Sequence, residues 1–183
     1  MEYIKLFDSL NKKLARENLE LDIHCVGGFV LEYYGLKATS NIDAFYESNE
    51  KIDRLIDEVG NEYGVGTNSS PWLNNSIQNI ISNNNLDQET TIYAGTNLTV
   101  NIASLETIFE DKIVSSRVKD REDIKELMIA LNKHDLASIM KIYEYSDGTT
   151  DPAVIVEAYI NAFGRGSFDE QVRDNPELKR YLI

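Results

Sequence analysis

The chain has 183 residues, 42% hydrophobic and 27% charged, with a formal net charge of −13 at pH 7. A chain of this size buries a core without metal or disulfide staples, and so acidic a surface repels the phosphate backbone of bulk DNA or RNA. A single cysteine, Cys25, rules out an internal disulfide and fits a reducing compartment, and two histidines, His24 and His134, leave little material for zinc.

Any metal is therefore expected to be a hard cation held by carboxylates. No basic-then-apolar leader opens the sequence, and no apolar run approaches the roughly 18 residues of a membrane span. A cytoplasmic protein with no membrane partner is the expectation.

Ile4, Phe7, Leu10 and Leu14 recur at helical spacing and predict a helix over Met1–Glu17. Leu21, Ile23 and Cys25 alternate with Asp22, His24 and Val26 and predict a strand over Glu20–Val26. Gly27-Gly28 ends that strand and leads into a short helix, Phe29–Tyr34, closed by Gly35. A polar loop, Lys37–Ser40, precedes a second strand, Ile42–Tyr46.

Asn49 is a cap for a helix over Glu50–Tyr63, whose inward face is Ile52, Leu55, Ile56 and Val59. Leu73, Ile77, Ile80 and Ile81 make a further helical stripe, broken at Asn83–Asn85. Thr90–Ala103 reads as a hairpin turning around Gly95-Thr96-Asn97. Helices follow over Leu105–Ser116, Asp120–Asn132 and Leu136–Tyr145, then from Pro152 to Gly164, with a last short one after Pro176. The order predicts an α+β fold: a small mixed β-sheet core with packed helices over residues 1–103, then a helical C-terminal region over 104–183.

Gly27-Gly28 at a strand-to-helix junction permits close backbone approach and suits a phosphate, though most such pairs are tight turns. After twelve intervening residues, Phe29–Ser40, comes Asn41-Ile42-Asp43 at the head of the next strand. Residues two apart on a strand face the same side, so two oxygen-bearing side chains there can share a divalent cation beside a bound phosphate.

Gly27, Gly28, Thr39, Ile42 and Asp43 together resemble the signature of the polymerase-β-like nucleotidyltransferase superfamily. In that signature a glycine turn, a spacer and Asp-x-Asp fall on consecutive elements. Tyr34–Phe45, the Trp72-Leu73-Asn74 run and Lys112–Ile124 (KIVSSRVKDREDI) are further similar to small bacterial nucleotidyltransferase-like proteins related to abortive-infection toxins. The likeness covers about residues 21–132.

The resemblance implies Mg²⁺-assisted transfer of a nucleoside monophosphate from a nucleoside triphosphate (NTP) to an unknown acceptor. It implies Asp43 and Asn41 as metal ligands and Gly27, Gly28, Lys37 and Thr39 as nucleotide contacts. Lys112 and Asp120 would belong to the catalytic set, with Lys112 at the phosphates.

Two departures stand out. Lys37 replaces an arginine and loses its two-pronged grip, and Asn41 replaces the first aspartate, so it carries no charge and cannot act as a base. Asn101 stands where a third acid is expected, and Asp87 and Glu89 fall in a loop. The alternative is a catalytically inactive nucleotide-binding or protein-interaction module, of a toxin–antitoxin kind, whose acidic face meets a basic antitoxin-like protein. The resembling toxins include some that modify tRNA, which keeps tRNA open as an acceptor. His24 reads as structural, Cys25 as inert, and Asp120 by itself as a helix cap.

Overall fold

The computed structural model describes residues 3–67, 70–75, 89–146 and 150–181. Two compact units emerge, Met1–Ser104 and Leu105–Ile183. Together their elements make an α+β fold with one mixed sheet.

In the first unit α1 (Tyr3–Glu17) leads into β1 (Leu21–Val26), α2 (Gly27–Tyr33) and β2 (Ile42–Phe45). Then come α3 (Glu50–Tyr63), β3 (Leu73–Asn74), β4 (Thr90–Ala94) and β5 (Leu98–Ile102). The sheet order is β3-β2-β1-β5-β4, with β1 parallel to β5 and antiparallel to β2. The predicted hairpin is present as the antiparallel pair β4–β5.

Strand alternation sorts the side chains of this sheet. Leu21, Ile23, Cys25, Ile42, Ala44, Leu98, Val100 and Ile102 are buried, as are the inward faces of α1 and α3. The opposite positions, Asp22, His24, Asp43, Phe45, Thr99 and Asn101, are partly or fully open. Registers His24↔Phe45, Val26↔Asp43 and His24↔Asn101 place these on one face. That open face carries the candidate chemistry.

Asn49 caps α3 as expected, its side chain accepting from the N–H groups of Lys51 and Ile52 at 3.0 and 3.1 Å. Gly60 in the last turns of α3 has a packing reason. A Cβ there would lie 2.9 Å from the Val65 carbonyl and 3.0 Å from Trp72 Cδ1, while Trp72 donates to the Ile56 carbonyl at 2.8 Å. An indole therefore fills the space that alanine would need, outweighing the ~1 kcal/mol that glycine costs a helix.

One expected helix is corrected. Leu73 and Asn74 form a two-residue strand paired parallel to β2 rather than the start of a helix. The remainder of that stripe, Ile77, Ile80 and Ile81, lies outside the described residues, as does the Asn83–Asn85 break.

The second unit holds α4 (Leu105–Ser115), a 3-10 turn (Val118–Asp120), α5 (Arg121–Ala130), α6 (Leu136–Tyr143), α7 (Ala153–Asp174) and a 3-10 turn (Pro176–Tyr181). Gly164 was expected to end the helix that starts after Pro152. Instead it kinks α7, with φ 87° and ψ 159°, and the helix resumes to Asp174 with Phe168 buried. Tyr159, also buried, donates to the His134 carbonyl at 2.8 Å.

Candidate functional site

The β1–β2 pairing brings the glycine turn and Asp43 together. Val26, the last residue of β1, is the register partner of Asp43, and Gly27 follows at once with φ +62°. A Cβ on Gly27 would lie 3.5 Å from Asp43 Oδ2, and one on Gly28 would lie 3.4 Å from Thr39 Oγ1. Gly27, Gly28, Thr39 and Asp43 are thus mutual neighbours. Glycine at 27 answers a positive φ that side chains tolerate poorly.

The loop between α2 and β2 is held by its own polar groups. Thr39 donates its backbone N–H to Glu32 Oε2 at 2.5 Å and its hydroxyl to the Asn41 carbonyl at 3.3 Å. Lys37 is exposed on this loop.

Asp43 accepts two amide hydrogen bonds on one oxygen. Asn41 Nδ2 donates to Oδ1 at 3.2 Å and Asn74 Nδ2 donates to the same atom at 3.1 Å. Asn41 and Asp43 therefore lie side by side, joined by an amide-to-carboxylate hydrogen bond. Asn74 is a site neighbour delivered by β3, whose parallel register sets Asn74 against Asp43. Its one signal in the sequence was the Trp72-Leu73-Asn74 run.

Sequence reasoning also passed over a second pair on the open face. His24 Nδ1 lies 2.7 Å from Glu89 Oε2, and the Glu89 side chain is 11% exposed. Asn101, beside His24 in register, accepts from the Thr91 hydroxyl at 2.7 Å.

Lys112 and Asp120 lie in the second unit, and each is the other's partner. Lys112 Nζ donates to Asp120 Oδ1 and to Asp123 Oδ2, both at 2.8 Å, and Arg117 Nε donates to Asp120 Oδ2 at 2.5 Å. Lys112, Asp120 and Asp123 are each at most 6% exposed. Asp120 makes no side-chain cap to α5. Burial works to raise its pKa, but Lys112 and Arg117 outweigh that and hold it below the ordinary aspartate value. Lys112, Asp120 and Asp123 of KIVSSRVKDREDI thus form one buried ion cluster, with the exposed Arg117 reaching in to Asp120.

The family model described as "Nucleotidyltransferase of unknown function (DUF6036)" matches residues 2–161. The chain belongs to this family. No curated protein and no solved structure matches it. In this chain the carboxylate beside the glycine turn is Asp43, and Glu32 accepts from Thr39 in the following loop. Among the described residues no group of three or more His, Cys, Asp or Glu side chains is arranged to hold a metal ion. That donor set does not match a two-metal centre, which relies on carboxylates shared between ions. It is compatible with a single Mg²⁺, an ion that commonly takes one or two carboxylates and completes its shell with phosphate oxygens and water. Among the described residues no helix is long and apolar enough to cross a membrane.

Proposed function

We propose that this nucleotidyltransferase-family chain binds a nucleoside triphosphate with one Mg²⁺ at the Gly27–Asp43 turn. Transfer of the nucleoside monophosphate to an acceptor is then slowed by Asn41. The observation that carries this reading is the juxtaposition of Gly27, Gly28 and Thr39 with the Asp43 carboxylate, whose hydrogen-bond donors are amides. The glycines admit phosphate oxygens close to the backbone, the Thr39 hydroxyl is a donor, and Asp43 is the ion's one protein carboxylate. Mg²⁺ would neutralise charge building on the phosphates. Asn41 contributes no charge, so a second ion would be held poorly.

Lys37 on its exposed loop is proposed as a mobile phosphate contact. Lys112 and Asp120 enter as a structural cluster. The net charge of −13 favours a small acceptor or a basic protein over bulk nucleic acid. A toxin-type setting with a basic antitoxin-like partner is an extension of the same charge argument.

Titrating each NTP with and without Mg²⁺ tests the proposal. Mg²⁺-dependent binding that weakens at least about tenfold in Asp43→Ala is expected, an effect of about 1.4 kcal/mol. Asn41→Asp is expected to raise the transfer rate by about 10- to 100-fold. No NTP binding in either the parent or Asn41→Asp would overturn it. A second reading, a catalytically silent binder, is favoured by the Asn41 amide bond to Asp43. It predicts equal NTP binding and no turnover in both proteins.

A further inference from the structure

The open face continues beyond Asp43 into a groove of about 480 Å³ at the other end of β1 and β2. This volume is that of a small-molecule site. Its lining includes Glu20, Asp22, Glu47, His24, Phe45 and Tyr46, with three carboxylates and no lysine or arginine. Carboxylates beside aromatic faces suit a cation with an organic body.

His24 belongs to the groove and to the site. Its register partner is Phe45, and the next same-facing residue on its strand is Val26, the partner of Asp43. Two residues along a strand span about 7 Å, so His24 lies about that far along β1 from the residue that pairs with Asp43.

His24 is also built as a base would be. Glu89 holds Nδ1 at 2.7 Å, which fixes the tautomer and leaves Nε2 to accept a proton. Among the described residues Nε2 has no protein partner. Glu89 Oε1 is buried and has no hydrogen-bond partner among them either. An acid kept out of water with one oxygen unused is costly for a strut, but it serves an imidazole that becomes charged during a reaction.

We propose that this groove holds the acceptor, a small alcohol carrying an ammonium group, and that His24, positioned by Glu89, takes its hydroxyl proton. This rests on the nucleotidyl-transfer reading above. As the acceptor O–H gives its proton to Nε2, the oxygen bonds to the α-phosphorus. The bond from that phosphorus to the α,β-bridging oxygen breaks, and pyrophosphate leaves with the electron pair. The amides of Asn41 and Asn101 cannot take a proton, whereas an imidazole held at Nδ1 by Glu89 can take one at Nε2. Among the described residues, the charged groups that the groove, the strand register and the hydrogen bonds set around His24 are acidic: Asp22 on its own strand, Asp43 on β2, Glu89 before β4, and Glu20 and Glu47 in the groove. From β5 come the neutral Thr99 and Asn101.

The test uses the whole chain with ethanolamine and glucosamine as probes and their N-acetylated forms as uncharged matches. Without nucleotide, the amines are expected to shift the His24 ring signals in the NMR spectrum at concentrations at least about tenfold lower than the acetylated forms. Asp22→Asn should narrow that gap. Equal responses from both forms, or none, overturn the acceptor class whatever the NTP titrations show.

With labelled NTP and Mg²⁺ in the Asn41→Asp background, His24→Gln is expected to lower kcat about 100-fold with the NTP Kd unchanged, and to flatten the acidic limb of the rate–pH profile. Glu89→Gln should lower kcat less and displace that limb, which a merely structural pair would not do. A His24→Gln kcat within about threefold of its parent overturns the base. No transfer to either amine, with NTP binding intact, overturns the acceptor and leaves the nucleotide reading standing.

Discussion

Two charged clusters of this chain look alike in the sequence and differ in the folded molecule. At the Gly27–Asp43 turn the Asp43 carboxylate meets two amide donors, on a sheet face open to solvent. The Lys112 cluster carries a lysine and two aspartates sealed from water, with a half-exposed arginine on Asp120 matching the second charge. An unmatched acid at an open turn has capacity left for a ligand. A matched set out of water has spent its hydrogen bonds on itself. Both motifs were legible as motifs, and their difference lies in what the fold brings against each.

Breaking the sealed cluster should give the largest effect. Lys112→Met leaves two aspartates buried without their cation and is expected to cost about 3–5 kcal/mol in urea unfolding. Replacing all three, Lys112→Met with Asp120→Asn and Asp123→Asn, should recover much of that loss, since the expense lies in the orphaned charges. A single mutant as stable as the parent would show that the cluster is not holding the unit together.

The same cluster predicts an acid limb to stability. The folded-state pKa of Asp120 is depressed, because Lys112 and Arg117 outweigh its burial. A depressed carboxylate contributes stability that is fully present above its unfolded value, near 3.9, and is lost as pH falls through the folded one. Urea midpoints should therefore fall as pH drops below about 4, and Asp120→Asn should remove part of that slope. Parallel slopes in the two proteins would contradict the ion-pair account.

The open turn should respond more mildly in stability and more sharply in binding. Gly27→Ala places a side chain at φ +62° and is expected to cost about 1–2 kcal/mol, although the new Cβ would meet Asp43 Oδ2 at an ordinary 3.5 Å. Gly28→Ala has no such backbone strain and should change unfolding by less than about 0.5 kcal/mol. Equal costs at both positions would mean that the turn geometry is not what glycine serves.

Reading the sequence recovered what local periodicity encodes. Helices α1, α2 and α3, strands β1 and β2, the β4–β5 hairpin and the Asn49 cap all follow from local spacing and turn residues. The strand at Leu73 was missed because two residues are too few to show alternation, and Leu73 shares a helical spacing with Ile77. Gly164 does interrupt the helix, at φ 87° and ψ 159°, and what the sequence did not show is the second helical stretch that follows it to Asp174. At the site, Gly27, Gly28, Thr39 and Asp43 were legible because one short connection brackets them. The Asn74 bond to Asp43 spans 31 residues and the Glu89 contact to His24 spans 65, so strand order alone creates them.

Asp111 offers the finest test of the comparison, because it stands next to the sealed cluster in sequence without sharing its pairing. Burial and the neighbouring Glu110 raise its pKa to about 6, and Lys112 opposes them without prevailing. A raised carboxylate has the opposite sign to Asp120. The folded chain holds this proton more tightly than the unfolded chain, so stability falls as pH rises from about 4 to about 6 and the cost is complete above that. Asp111→Asn removes the charge. It is expected to stabilise the protein at pH 7 by about 1 kcal/mol, a figure reduced from the full shift because the side chain is partly open to water. The gain should vanish near pH 4. A gain that persists at pH 4 would point to packing, and no gain at pH 7 would mean that Lys112 reaches Asp111 as well, making the cluster larger than its three buried members.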